Sequence, residues 1–72
     1  MTFMAWLVVN KNGQELISPS MPERDTERGE WYCCFENQAG FLDYYGIELP
    51  KGTIKKIIGF DLTWDNDAFK IE

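Results

Sequence analysis

Few side chains in this sequence have the chemistry for catalysis, and histidine is absent. The candidate nucleophiles are the adjacent Cys33 and Cys34, and a catalytic thiol needs a base close by. A disulfide between neighbours would be strained, because bonded cysteines usually have Cα atoms about 5.5–6 Å apart. We therefore interpret the pair as free thiols in a reducing compartment, packing as small apolar groups beside Trp31, Tyr32 and Phe35.

Carboxylates are the remaining groups for acid–base chemistry. Asp43 with Glu48, or Asp61 with Asp65, would be suitable pairs if burial separated their proton affinities, but surface carboxylates far outnumber catalytic ones. Asp61, Asp65 and Asp67 suggest calcium ligands by type, yet residues 65–67 lack the glycine and the final glutamate of an EF-hand. We predict a turn there, and we expect no enzyme activity, no metal and no cofactor.

Phosphate binding is also not indicated. Gly52 and Gly59 bracket a predicted helix and do not form a phosphate-binding loop, and Lys51, Lys55 and Lys56 form only a small basic patch. Twelve acidic and seven basic residues give a net charge of −5. Because nucleic-acid binding depends on lysine and arginine contacts to phosphates, we expect no direct binding of nucleic acid.

The first half of the sequence has the pattern of strands. Residues 5–9 and 14–18 flank a turn that ends in Asn12-Gly13, which predicts a hairpin with a positive φ angle in the turn. Residues 5–9 are apolar in both alternating sets, which predicts a central strand covered on two faces. Residues 30–36 predict another strand, and residues 47–49 a brief extended segment.

The second half predicts one helix and a final hairpin. Pro50 favours a helix start, and the spacing of Ile54, Ile57 and Ile58 predicts one apolar stripe that ends at a Gly59 cap. Residues 60–65 alternate apolar and polar side chains, which predicts a half-exposed strand paired with residues 68–71. We predict a single α+β domain over residues 1–72: a small twisted antiparallel sheet of four to five strands with one short helix, about residues 50–58, on one face.

Residues 19–29 contain two prolines, a terminal glycine and a run of charges. This composition predicts a charged surface loop, with a short exposed helical turn as the alternative. Aromatic residues make up 15% of the chain, and Trp and Tyr often anchor interfaces. The first residues lack the basic start and cleavage site of a signal peptide, and residues 1–9 are too short to span a membrane. We therefore expect a cytosolic protein.

The two ends of the chain resemble small proteins encoded by phages and prophages. The resemblance rests on residues 4–13, on residues 48–59 and on Leu62-Thr63-Trp64, roughly half of the chain, and residues 19–45 do not contribute to it. Phage accessory proteins of this size and charge are often inhibitors of host machinery, including anti-CRISPR and other anti-defence proteins. The resemblance therefore implies a host protein as the partner, and it transfers no catalytic residue.

We expect a protein-binding module that inhibits a host defence protein by covering its surface. In one version of this hypothesis, the host partner is itself a nucleic-acid-binding protein. The alternative is a minor structural or assembly protein that forms a homo-oligomer, with a homodimer as the simplest form. A further variant has the acidic side chains of Asp61, Asp65 and Asp67, on one outward strand and turn, imitate nucleic-acid phosphates. The predicted binding residues are Glu23, Arg24, Asp25, Glu27, Arg28, Trp31, Tyr44, Tyr45, Asp61, Asp65 and Asp67.

Overall fold

A computed structural model describes residues 5–37, 40–44 and 46–71, with the backbone alone in 33–37 and 40–44. The elements in these residues are β1 (Ala5–Val9), β2 (Glu15–Ser18), β3 (Glu23–Asp25), β4 (Glu30–Asn37), β5 (Gly40–Tyr44), β6 (Ile47–Leu49), α1 (Thr53–Ile58) and β7 (Phe69–Ile71). Sheet 1 has the strand order β6-β2-β1-β7, and sheet 2 has the order β3-β4-β5. Every pairing is antiparallel.

Strand β1 lies in the middle of sheet 1 and is buried on both faces, as its two apolar sets predict. Leu7 and Val9 form the helix-side core with Ile54 of α1. Val8 points to the opposite face of sheet 1, where it forms a second core with Leu16 and Trp31. We call this the hairpin-side core, because Trp31 belongs to the hairpin of β3 and β4. The predicted turn joins β1 to β2, and Gly13 supplies the positive φ angle of 90°.

The register of the β1–β2 pair determines which polar side chains enter the interior. Residues directly opposite each other in an antiparallel pair point to the same face. Val9 is opposite Glu15, and Leu7 is opposite Ile17, so the Glu15 carboxylate points to the face that carries α1. Glu15 is accordingly buried, with 8% of its surface exposed.

Helix α1 covers the helix-side core but is shorter than its sequence predicts. It begins at Thr53, after a turn in which the Thr53 amide donates to the Pro50 carbonyl at 3.1 Å. Gly59 ends it as predicted, with φ of 86°. Ile54 is buried and Ile58 half-buried, whereas Ile57 is 50% exposed. The predicted three-residue stripe is therefore wrong at Ile57, because only Ile54 and Ile58 of the three pack in the helix-side core.

The predicted strand at residues 60–65 is wrong, and so is its hairpin with residues 68–71. Residues 60–68 are irregular, and β7 pairs with β1 instead. The alternating apolar side chains do not share one face: Phe60 is exposed, Leu62 packs against the helix-side core and Trp64 packs against the hairpin-side core. The segment crosses between the two cores, which a strand with one buried face could not do.

Residues 19–29 are not simply a loop, because β3 lies within them. β3 pairs with β4, with Arg24 opposite Trp31 and Asp25 opposite Glu30. The turn is held by the Asp25 carboxylate, whose Oδ1 accepts from the amides of Glu27 and Arg28 at 3.1 Å each. We call residues 23–32 the β3–β4 hairpin. Charged side chains here accompany a main-chain ladder, which composition alone does not reveal.

The predicted fold class is confirmed: sheet 1 is a small antiparallel sheet with one short helix on a face. The second sheet was not part of the prediction. Within the described ranges, the structure contains no helix with the length and apolar character needed to cross a membrane.

Candidate functional site

A cleft opens on the surface between the β1–β2 turn, the start of α1 and the segment that follows α1. Its volume is about 760 Å³, and its lining comes from residues 9–11, 13 and 15, from Lys51 and Gly52, and from residues 61–65. Ligand-binding clefts in proteins commonly measure about 300–1,000 Å³. We call this feature the α1 cleft.

Three apolar side chains contribute to the α1 cleft, and each is fixed by the core. Val9 belongs to the helix-side core, and Leu62 packs against it. Trp64 packs against the hairpin-side core on the opposite side of sheet 1. Leu62 and Trp64 are both half-buried, so each keeps part of its apolar surface open to the cleft. The cleft therefore offers a fixed apolar surface at the border between the two cores.

Charged side chains of both signs surround this apolar surface. Lys11 comes from the β1–β2 turn, Lys51 from the start of α1, and Asp61 and Asp65 from the segment after α1. Asp61 pairs with Lys55 at 3.8 Å, with both side chains more than 60% exposed. Lys11, Lys51 and Asp65 form no ion pair with a described residue. The α1 cleft thus presents unpaired charges of both signs.

Glu15 shapes the cleft by holding the start of α1. Its Oε2 accepts from the Gly52 amide at 2.5 Å, and its Oε1 accepts from the Ile54 amide at 2.8 Å. Amides at a helix start have no partner within the helix, so a carboxylate there satisfies them. Because Gly52 has φ of 93° and no side chain of its own, Glu15 acts as the helix cap from β2. Its carboxylate is occupied by these contacts.

Asn10 fixes the β1–β2 turn on the other side of the cleft. It is 4% exposed, and its Oδ1 accepts from the Trp31 amide at 2.9 Å. Its Nδ2 donates to Gln14 Oε1 at 3.1 Å. The Trp31 indole also donates to the Val9 carbonyl at 3.0 Å. One buried amide therefore joins the turn to the β3–β4 hairpin.

Arg24 connects the β3–β4 hairpin to the segment that forms one wall of the cleft. Its guanidinium carbon lies 4.7 Å from the ring centroid of Trp31 and 5.1 Å from that of Trp64. Its Nη2 donates to the Asn66 carbonyl at 2.8 Å. The two indoles meet edge to face with centroids 6.0 Å apart. We call Arg24, Trp31, Trp64 and Asn66 the arginine clamp.

The three aspartates predicted as binding residues do not lie along an outward strand and its turn, because residues 60–65 form no strand; only the turn is present, at residues 64–66. Asp61 and Asp65 line the α1 cleft, and Asp67 does not. All three are exposed. Among the described residues, no group of three or more potential metal ligands comes together. The predicted strand that would carry these acids as imitations of phosphates is therefore wrong.

The predicted aromatic binding residues have different outcomes. Trp31 is 5% exposed and belongs to the hairpin-side core, so this predicted binding residue offers almost no surface to a partner. Trp31 and Tyr32 point to opposite faces of β4, and the sequence alone does not show which of these two faces is covered. That depends on how sheet 2 packs against sheet 1. The side chain of Tyr44 and the whole of Tyr45 lie outside the described part of the structure.

The charged residues predicted in the loop are distributed over the β3–β4 hairpin. Glu23, Glu27 and Arg28 are exposed, and Arg24 and Asp25 are half-buried. Arg24 belongs to the arginine clamp and Asp25 holds the turn, so both have structural partners. None of these five residues lines the α1 cleft.

Among the side chains that the structure describes, four large apolar ones are exposed outside the cleft: Met21, Ile47, Ile57 and Phe60. Phe60 makes an edge-to-face contact with Phe69, with ring centroids 5.6 Å apart. Isolated apolar side chains are normal on protein surfaces, so these residues do not by themselves define a site.

Sequence reasoning missed Asn10, Lys11, Glu15 and Leu62 as parts of the site. No signal in the sequence distinguished Asn10 and Glu15, because they stand at the ends of a turn whose residues 11–14 are themselves polar or glycine. Their roles depend on strand register and on contacts with residues more than 20 positions away. Comparisons with protein-family models, with curated proteins and with solved structures find no match for this chain.

Proposed function

We propose that this protein is a phage-type binding module that inhibits a host protein, in particular a defence protein, by holding a segment of that protein in the α1 cleft. The observation that carries the proposal is the combination of a fixed apolar surface with unpaired charges in one cleft. Interfaces bind through desolvated apolar anchors within a polar rim. Inhibition follows from steric exclusion and needs no catalytic group.

The resemblance to phage accessory proteins supports the choice of a host partner. The net charge of −5 also favours association with a basic surface, since opposite charge accelerates encounter and like charge opposes it. A nucleic-acid-binding defence protein would present such a surface.

The test is infection of bacterial strains that each carry one defence system, including a CRISPR system, while they produce this protein. We expect the protein to restore plaque formation in at least one strain. The double variant Lys51→Glu with Asp65→Lys should lose this effect, because it inverts two of the three unpaired charges of the cleft, one of each sign, while keeping the net charge. The matched control Lys56→Glu with Asp67→Lys inverts exposed charges outside the cleft and should retain it. Wild-type protein without effect in every strain would count against inhibition of host defence.

A photo-cross-linking side chain tests direct contact in the same cells. At position 51 it should capture the inhibited host protein, and at position 56 it should not. Equal capture from both positions would remove the α1 cleft from the proposal.

A second candidate function is assembly into a homo-oligomer. The observation in its favour is that β6 and β7 border sheet 1, with no further strand paired to either among the described residues, and unpaired edges are templates for strand addition. Ile47 on β6 is 60% exposed. Sedimentation equilibrium at rising concentration should then give a defined oligomer, and a strictly monomeric mass would exclude this candidate.

A further inference from the structure

We infer that the α1 cleft takes an extended polypeptide segment in which one apolar side chain lies between an acidic and a basic residue. This inference rests on the proposed function, and it adds the chemistry of the partner segment. The apolar side chain would contact Leu62 and Trp64, whose positions are fixed by packing against the two cores.

The charges of the cleft exclude a ligand of one sign. A polyanion such as a nucleic acid would be attracted by Lys11 and Lys51 but repelled by Asp61 and Asp65. A polycation would meet the reverse combination. Two lysines also give too few phosphate contacts for appreciable binding through counterion release. A segment with both signs can satisfy both sets, and like charges placed opposite each other provide the discrimination.

The positions of the charges set which end of the cleft each charged residue of the segment occupies. The lysines belong to the β1–β2 turn and to the start of α1, so the acidic residue lies at that end. Asp65 and Asp61 belong to the segment after α1, so the basic residue lies beside them. The ion pair of Asp61 with Lys55 is exposed and long, and such pairs exchange at little cost.

The experiment is NMR titration of the full chain, labelled with ¹⁵N, using capped peptides of glycine and serine around a three-residue centre. The centre is glutamate-leucine-arginine in the test peptide, arginine-leucine-arginine or glutamate-leucine-glutamate in the two single-sign peptides, and glutamate-serine-arginine in the peptide without the apolar side chain. An oligothymidylate is the nucleic-acid probe. We expect the test peptide to shift the Trp64 indole and the amides of Lys11 and Gly52 at millimolar concentration. Its affinity should be about fivefold or more above that of the other probes, equivalent to roughly 1 kcal/mol.

Matched charge variants place the contact. Asp65→Lys should reduce binding of the test peptide by about fivefold or more, whereas Asp67→Lys, with the same change in net charge, should leave it within twofold. Equal affinity for test and single-sign peptides, tighter binding of the oligothymidylate, shifts confined to residues outside the cleft, or no shift by any peptide would each overturn the inference.

The outcomes also separate this inference from the proposed function. Restored plaque formation that depends on the α1 cleft, together with no preference for the test peptide, would refute the segment chemistry and leave inhibition standing. A clear peptide preference with no effect in any strain would refute inhibition of host defence and leave the cleft specificity standing.

Discussion

Removing the guanidinium of Arg24 should destabilise the protein strongly, because that group joins two parts of the chain that sheet hydrogen bonds do not connect. Arg24→Met keeps an unbranched side chain of similar length and removes the charge and the donors. The arginine clamp then loses its contacts with Trp31 and Trp64 and its hydrogen bond to the Asn66 carbonyl. We expect the segment around Trp64 to loosen first.

The magnitude follows from these contacts. Each cation–aromatic contact contributes about 0.5–2 kcal/mol, and a hydrogen bond from a charged donor contributes about 1.5–3 kcal/mol. The Nε of Arg24 is buried and has no hydrogen-bond partner among the described residues. Removing this unpaired donor therefore offsets the loss of stability by about 1–3 kcal/mol. Methionine also retains part of the aromatic contact. We expect a net loss of about 2–3 kcal/mol from a domain whose total stability is on the order of 4–11 kcal/mol.

The assay is equilibrium unfolding in urea, followed by tryptophan fluorescence, together with thermal unfolding. A loss of this size lowers Tm by about 8–24 °C in a domain of this length. Arg24→Lys should be intermediate, since it keeps the charge but not the planar donor group. Arg28→Met is the matched control on the same hairpin. The Arg28 side chain is 66% exposed and its ion pair with Asp25 is long, at 4.0 Å, so this change should alter stability by less than about 0.5 kcal/mol.

Amide hydrogen exchange shows where the loss occurs. Arg24→Met should accelerate exchange of the Asn66 amide, which donates to the Thr63 carbonyl, more than that of the β1 amides. The reasoning is refuted if Arg24→Met and Arg28→Met have equal stability within about 0.5 kcal/mol, the usual range for a surface substitution.

Three further predictions concern the residues that support the cleft and core. Glu15→Ala should lower the free energy of unfolding by about 2–4 kcal/mol, because it leaves the two amides at the start of α1 without partners, and Glu15→Gln should lower it by about half as much. Urea unfolding measures both losses. A Glu15→Ala variant as stable as the wild type would contradict the role of Glu15 as a helix cap. Gly29→Ala should cost about 1–3 kcal/mol, because its φ is 70° and a Cβ would lie 2.9 Å from the Lys11 Cβ. Gly13 also has a positive φ, but a Cβ there would meet no atom within 4 Å, so Gly13→Ala should destabilise the protein less than Gly29→Ala. Thermal unfolding compares the two variants, and a larger loss for Gly13→Ala would be inconsistent with a clash at Gly29. Ile54→Ala should lower the free energy of unfolding by about 2–5 kcal/mol, and Ile57→Ala should lower it by less than about 0.5 kcal/mol. Calorimetry measures both, and similar losses would show that both side chains face the sheet.

Local pattern was sufficient for much of sheet 1 and for the class of fold. The two apolar sets of residues 5–9 predicted a central strand, Asn12-Gly13 predicted the turn, and Gly59 predicted the helix end. These features depend on neighbours within a few positions, because side-chain alternation and positive φ angles are properties of the local chain.

Tertiary structure determined the site, and the reason is that its contacts connect distant parts of the chain. Residues 60–65 alternate like a strand, yet Leu62 and Trp64 pack against opposite cores, which no local pattern distinguishes from a sheet face. Arg24 reads as a solvated charge until Trp31 and Trp64 are placed around it. Glu15 reads as a strand residue until the register turns it towards the amides of α1. The sequence alone determined a small acidic α+β domain, and only the packing of its segments decided which charges are engaged in the fold and which stay unpaired in the α1 cleft.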